Sequence, residues 1–302
     1  MNTHRTHRVT PPARRTTALL AGGAAALLAL TGCSAPASQA GSTDVHIAQF
    51  AGWGESIVTS ELWKLALEDE GYDVTITAAD LSPVFIGLAD GSYDFATQIT
   101  LPEIHRAFVD EYGDDLVDLG PWYEETRITV AVNEDAPIDS LAELAAHADV
   151  FDNEIVGTDP GAGQTILMED TVIPGYGLQD MDFVTSSTAA MLSALKGATD
   201  TGKNIAVSLW EPHWAYLEYP IKNLEDPEGL LGQTEEEHVY ASTAFPEAQP
   251  EVAQWLREFS MTPDELMELE RQVFVVHGDE NPAVGVAAWA EANPEFMRAL
   301  TA

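Results

Sequence analysis

The sequence predicts an α/β protein folded as two lobes, each a mostly parallel sheet flanked by helices. Strand-like and helix-like segments alternate along the chain, the pattern expected of parallel strands joined by crossover helices. The alternation starts afresh after Ile128 to Val132, which sets a second unit apart from the first. Finally, 302 residues at 45% apolar composition can bury one large core or two smaller ones.

The elements follow in order. Val45 to Ala48 reads as a strand, and Ser56 to Glu70 as a helix with Val58, Leu62, Leu65 and Ala66 on one face and Gly71 as its stop. Val74 to Thr77 is the next strand. Val84, Phe85 and Leu88 mark a short helix ended by Gly91; Tyr93 to Thr97 is a strand and Pro102 to Tyr112 a helix. After the strand Ile128 to Val132, Ser140 and Glu143 form a capping box ahead of an Ala/Leu-rich helix. Ile155 to Thr158 is a strand, and helices follow from about Gln164 and over Thr188 to Lys196. Ile205 to Leu209 is again a strand, and Asp226 to Glu236 is loop-rich. Val239 to Thr243 reads as a strand returning to the first unit. Helices Glu251 to Phe259 and one capped by Thr262-Pro263-Asp264-Glu265 follow it. The chain thus crosses twice, near Ile128 to Asn133 and near His238 to Thr243. One lobe comprises residues 44–130 with 240–302, the other residues 131–239, and a cleft lies between them.

Residues 1–32 read as a lipoprotein signal peptide. Arg5, Arg8, Arg14 and Arg15 precede an apolar run from Ala18 to Leu30 that is too short to cross a bilayer. It closes on Leu30-Thr31-Gly32-Cys33, a lipobox that resembles those of bacterial lipoproteins and implies cleavage before Cys33 and a lipid on its sulfur. Residues 33–43 would then be a tether, and the protein would sit at the extracytoplasmic face of the cell membrane. Cys33 is the only cysteine, so no thiol remains for a disulfide, a metal or nucleophilic catalysis. The formal charge of −37 leaves no basic patch to displace counterions from phosphate, which argues against a nucleic-acid partner.

The seven tryptophans differ in setting. Trp63, Trp255 and Trp289 lie in amphipathic helical patterns and suit core packing. Trp53 stands in the loop Gly52-Trp53-Gly54 after the first strand, and Trp210 directly follows the strand Ile205 to Leu209. Both occupy carboxyl ends of strands, where α/β sheets gather ligands. Asp159-Pro160-Gly161-Ala162-Gly163-Gln164 joins a strand to a helix, either as an ordinary tight turn or as a cradle of N–H groups for an anion. Indole faces attract cations and an N–H cradle attracts a carboxylate, so together they suit a small zwitterion. Neither a Gly-x-Ser-x-Gly elbow nor a His-Glu-x-x-His pair is present, and the histidines are scattered singly. Paired acids such as Glu235-Glu236-Glu237 are expected on the solvated surface of so acidic a chain. No enzyme, metal or cofactor is indicated.

Gly52-Trp53-Gly54-Glu55-Ser56, the following Leu62 to Tyr72, Leu101-Pro102-Glu103-Ile104-His105, Asp159 to Gly163 and Leu209-Trp210-Glu211-Pro212-His213-Trp214 closely resemble the glycine betaine-binding lipoproteins of osmoprotectant ABC importers. The resemblance runs from about Val45 to the end and implies a two-lobed, type II-like periplasmic-binding-protein fold. It implies a quaternary-ammonium zwitterion as ligand, an ABC permease with its ATPase as partners, and lobe closure as mechanism. In that family three tryptophans surround the trimethylammonium group, while loop amides and a histidine hold the carboxylate. Trp53 and Trp210 match two walls, Gly163 and Gln164 the amide donors, and His105 the histidine. The third wall falls on Thr100, which opens volume and would favour a bulkier head group; Trp122 could lean into that space, but a packing role suits it better. Ectoine, carnitine or choline, or a sensing role without import, are the alternatives.

Overall fold

The computed structural model describes residues 42–278 and 280–302. The signal peptide, Cys33 and the tether as far as residue 41 lie outside them. Among the described residues nine strands form one continuous ladder: β1 (Asp44–Phe50), β2 (Asp73–Ala79), β3 (Phe95–Leu101), β4 (Leu116–Asn133), β5 (Glu154–Val156), β6 (Asp182–Val184), β7 (Ala206–Glu211), β8 (Ile221–Asn223) and β9 (Glu235–Ser242). Their order is β2-β1-β3-β9-β4-β7-β5-β6, with β8 also on β4.

Alternation along the strands divides each sheet's burial between two faces. On β1, Val45 and Ile47 enter one cluster with Val58, Leu62 and Trp63, whereas Ala48 and Phe50 enter another with Val84 and Phe85. In the second sheet Val130 and Val132 face Ile155 and Met168, and Ala131 faces Met191 and Leu195. Helices therefore cover both faces of both sheets. The helix α1 (Gly54–Asp69) buries Val58, Leu62 and Ala66 at intervals of one turn. It stops where Gly71 turns left-handed at φ 92° and the Tyr72 N–H caps the Leu67 carbonyl at 3.0 Å. Trp63 and Trp289 are 0% and 2% exposed, in keeping with the packing role expected for them.

The two-lobed α/β class holds, but the sheet is mixed. β1–β2, β1–β3, β5–β6 and β5–β7 are parallel, while every ladder made by β4 or β9 is antiparallel. These two strands carry the chain between the lobes. β4 pairs with β9 up to Thr126 opposite Glu235 and with β7 from Arg127 opposite Glu211. The change of partner thus falls between Thr126 and Arg127, earlier than residues 130 and 131, and the return strand begins at Glu235 instead of near residue 240. Both capping boxes form, at Ser140 with Glu143 and at Thr262 with Glu265.

Candidate functional site

The carboxyl ends of the strands converge where β4 changes partner. Trp53 follows β1, Thr100 lies one residue before the end of β3, Thr158 and Ala162 follow β5 and Trp210 lies near the end of β7. Together with Gln98, Ile104, Thr126, Gly163, Gln164 and Glu237 they line one cavity of about 60 Å³, enough for several waters or a small solute. The loop before Gly163 turns at Gly161, whose φ of 85° is left-handed. A helical stretch then starts at Gly163, so the first-turn N–H groups of Gly163 and Gln164 have no intrahelical acceptor. A side chain at 163 would put its Cβ 2.8 Å from the Ile104 carbonyl oxygen, so glycine is required for the lobes to approach here.

Of the expected ligand residues, Trp53, Thr100, Gly163, Gln164 and Trp210 all line this cavity. His105 does not. Its ring lies parallel to Trp53, with centroids 5.5 Å apart, and parallel to Phe50 at 5.8 Å. Its Nδ1 accepts the Thr100 N–H at 2.8 Å, so the ring proton sits on Nε2, which is buried without a partner. Burial pushes its pKa down to about 3, which keeps it neutral. His105 stacks behind Trp53 and holds the turn after Thr100. His213 serves Trp210 in the same manner: the rings meet edge to face at 4.7 Å, Nδ1 accepts the Ala215 N–H at 3.1 Å, and burial lowers its pKa to about 3. Trp122 is in the core, stacked on Phe259 at 5.1 Å.

Two buried acids border the polar part, Glu237 in the cavity lining and Glu55 behind Trp210 and Gln98. Glu55, in the first turn of α1, accepts the Trp210 indole N–H on Oε1 and the Gln98 amide on Oε2 at 3.2 Å. Glu237 stands opposite Thr100 across the β3–β9 ladder and accepts the hydroxyls of Thr100 and Thr126, each at 3.1 Å. It is 2% exposed, and burial beside the charge of Glu55 raises its pKa to about 8. The space that a tryptophan at residue 100 would fill is thus backed by a carboxyl group.

Sequence reasoning missed Glu237, Glu55, Gln98, Thr126 and His213. Glu235 to Glu237 was expected on the surface as a run of like charges. Its useful signal was its place at the head of an apolar strand, where period-two alternation buries Glu235 and Glu237 and exposes Glu236.

Residues 43–292 match the family described as the substrate binding domain of ABC-type glycine betaine transport systems. A glycine betaine/carnitine transport binding protein of Listeria monocytogenes, GbuC, is 31% identical over 168 residues, 55% of this chain. The match spans about half, 54%, of that curated relative's length. Among solved structures, the glycine betaine/L-proline-binding protein ProX of Borrelia burgdorferi has 27% identity and a TM-score of 0.78, covering 86% of this chain and 97% of that one. Lactococcal OpuAC in its closed form with glycine betaine has the same TM-score of 0.78, with 86% and 99% coverage; at 24% identity it speaks for the fold.

Proposed function

The chain belongs to the family of substrate-binding domains of ABC-type glycine betaine transport systems, and from that premise we propose that it captures a small zwitterionic compatible solute, glycine betaine or a relative, for an ABC permease and its ATPase. The observation that carries this reading is the convergence of Trp53 and Trp210, from different lobes, on one cavity that also meets the free amides of Gly163 and Gln164. Indole faces attract the cationic head, worth about 0.5 to 2 kcal/mol each when desolvated. The two amides, at the start of a helical stretch, receive the carboxylate. A ligand touching both lobes favours the closed arrangement by its differential contacts, with no chemical step.

Calorimetric titration with glycine betaine, proline betaine, choline, carnitine, ectoine and dimethylsulfoniopropionate tests the proposal. At least one should bind, and Trp53→Ala or Trp210→Ala should each weaken it by about 1 to 3 kcal/mol. If none binds, or if both variants bind like the parent, the cleft is not the receptor site. The same reading places the protein on the membrane through a lipid on Cys33. Palmitate labelling of expressing cells should mark the parent and not Cys33→Ala; label on neither would exclude the anchor.

A further inference from the structure

A fully methylated ammonium offers only C–H groups to its surroundings, yet two acceptors in this cavity call for a stronger donor. Gln98 lines the cavity, is 6% exposed, and its Oε1 is buried without a hydrogen-bond partner. Nε2 donates to Glu55, whose other oxygen is engaged by the Trp210 indole, and reversing the amide would set its oxygen against the ionised Glu55 carboxylate. Across the same cavity stands Glu237. Its donors are two neutral hydroxyls, Thr100 on both oxygens at 3.1 Å and Thr126 on Oε1, so Oε2 keeps a free lone pair. No lysine or arginine lines the cavity.

We propose that this cleft selects, within the zwitterion class, ligands whose cationic head carries at least one N–H, with the Glu237 carboxyl group and Gln98 Oε1 as the acceptors. The head group still lies against Trp53 and Trp210, whose faces do not distinguish a methylated from a protonated nitrogen by charge. Discrimination comes from the acceptors, which are satisfied by N–H and left desolvated and unpaired by a methyl group. Thr100 is what exposes them: a large ring at this position would stand over Glu237, its cross-strand neighbour. The acid is set up for such a partner. Burial raises its pKa to about 8, next to Glu55, Glu235 and Tyr123 and with no basic group among its perturbing neighbours, so a cation held beside it favours the ionised acceptor form, the proton leaving to solvent.

The inference rests on the cleft being the solute site, and the experiment separates the two claims. The parent, Glu237→Gln and Gln98→Met are titrated at constant pH with glycine betaine, dimethylglycine and ectoine, which present no N–H, one ammonium N–H and an amidinium respectively. In the parent, dimethylglycine or ectoine should bind at least about tenfold tighter than glycine betaine, and each variant should bring that ratio to within about threefold. Gln98→Met keeps the volume and the fold-bearing strand, so it tests the acceptor even where the buried glutamate cannot be replaced. Preference of the parent for glycine betaine, or a ratio untouched by both variants, overturns the inference and leaves the receptor reading in place. Absence of binding by every compound overturns both.

Discussion

Behind each indole of the cleft sits an imidazole that cannot take a proton. His105 and His213 are 0% and 1% exposed, each accepts a backbone N–H on Nδ1, and both are pushed down to about 3 by burial. With both held neutral by burial, carboxylate affinity should not rise from pH 8 to pH 6 as it would with a titrating, cavity-facing His105. Among the residues lining the cavity, the carboxyl group raised towards neutrality is Glu237, at about 8 through burial and the charges of Glu55 and Glu235, with Tyr123 on β4 and the hydroxyls of Thr100 and Thr126 packed against it; the neighbouring His238, raised despite its burial by Asp118 and Glu236, also loses its proton as pH climbs. A carboxyl whose folded pKa is raised favours folding while it is protonated, and that contribution disappears as pH climbs from the ordinary carboxylate range through about 8. Thermal unfolding of the ligand-free protein should therefore give a lower midpoint at pH 9 than at pH 6. Glu237→Gln should shrink the difference, whereas His105→Gln should not. An equal fall in parent and Glu237→Gln would assign the loss to other acids.

At the scale of elements, helices with a strong turn signal are legible and the strands that build the site are only half so. The Thr262 and Ser140 boxes are read directly from side chains whose geometry is local, and Thr262 receives the Glu265 N–H at 3.3 Å while Glu265 returns to the Thr262 N–H at 2.8 Å. Thr262→Ala should cost about 1 kcal/mol of stability, measured by urea unfolding, with ligand affinity unchanged. β4 is different. Only Ile128 to Val132 reads as a strand, because Leu116 to Arg127 contains Asp118, Gly120, Pro121, Glu124 and Glu125, and its ladder slips register three times against β9. No local period survives such irregularities; long-range pairing makes that half a strand. β6 and β8, three residues each, are too short to carry a period. The same limit hid the cavity's polar wall: Trp53 and Trp210 are legible from glycine flanks and strand ends, but Glu237 meets Thr100 only through a ladder between residues 137 apart in sequence. Gly163 tests an element boundary that sequence did anticipate. In Gly163→Ala the new Cβ meets Ile104 of the other lobe at 2.8 Å. Affinity should fall by about 1 to 3 kcal/mol while the unfolding midpoint stays nearly constant, since the clash arises only when the lobes are together. A matching loss of stability would place that contact in the fold instead of in closure.

Across the whole molecule, the two lobes are joined by carboxylates that accept N–H groups from the facing lobe, in both directions. Glu55 accepts the Trp210 indole, Glu270 accepts the Trp214 backbone N–H at 3.0 Å, and the Arg271 guanidinium meets Glu218 at 2.9 Å. The first two seize both ends of the segment Trp210 to Trp214, so Trp210 and the His213 packed behind it are positioned by the lobe that holds α1 while belonging to β7 and its following turn. Glu270 has no exposure and one oxygen without a partner; burial and the charge of Glu55 hold its pKa well above the usual range. Two acids so placed strain against each other, and the interlobe bond offsets that cost only while the lobes are closed. Glu270→Ala removes the Trp214 bond and should shift the ligand-free population towards the open form. A hydrogen bond to a neutral carboxyl group contributes on the order of 0.5 to 1.5 kcal/mol, so every ligand should bind roughly two- to tenfold more weakly. Because Glu270 does not line the cavity, the ratio between ligands should stay as in the parent, in contrast to Glu237→Gln. Small-angle scattering should report a larger radius of gyration for the ligand-free variant, returning to the parent's value at saturating ligand. A variant that loses affinity with no change in radius would mean that Glu270 acts on the Trp210 wall alone and not on closure.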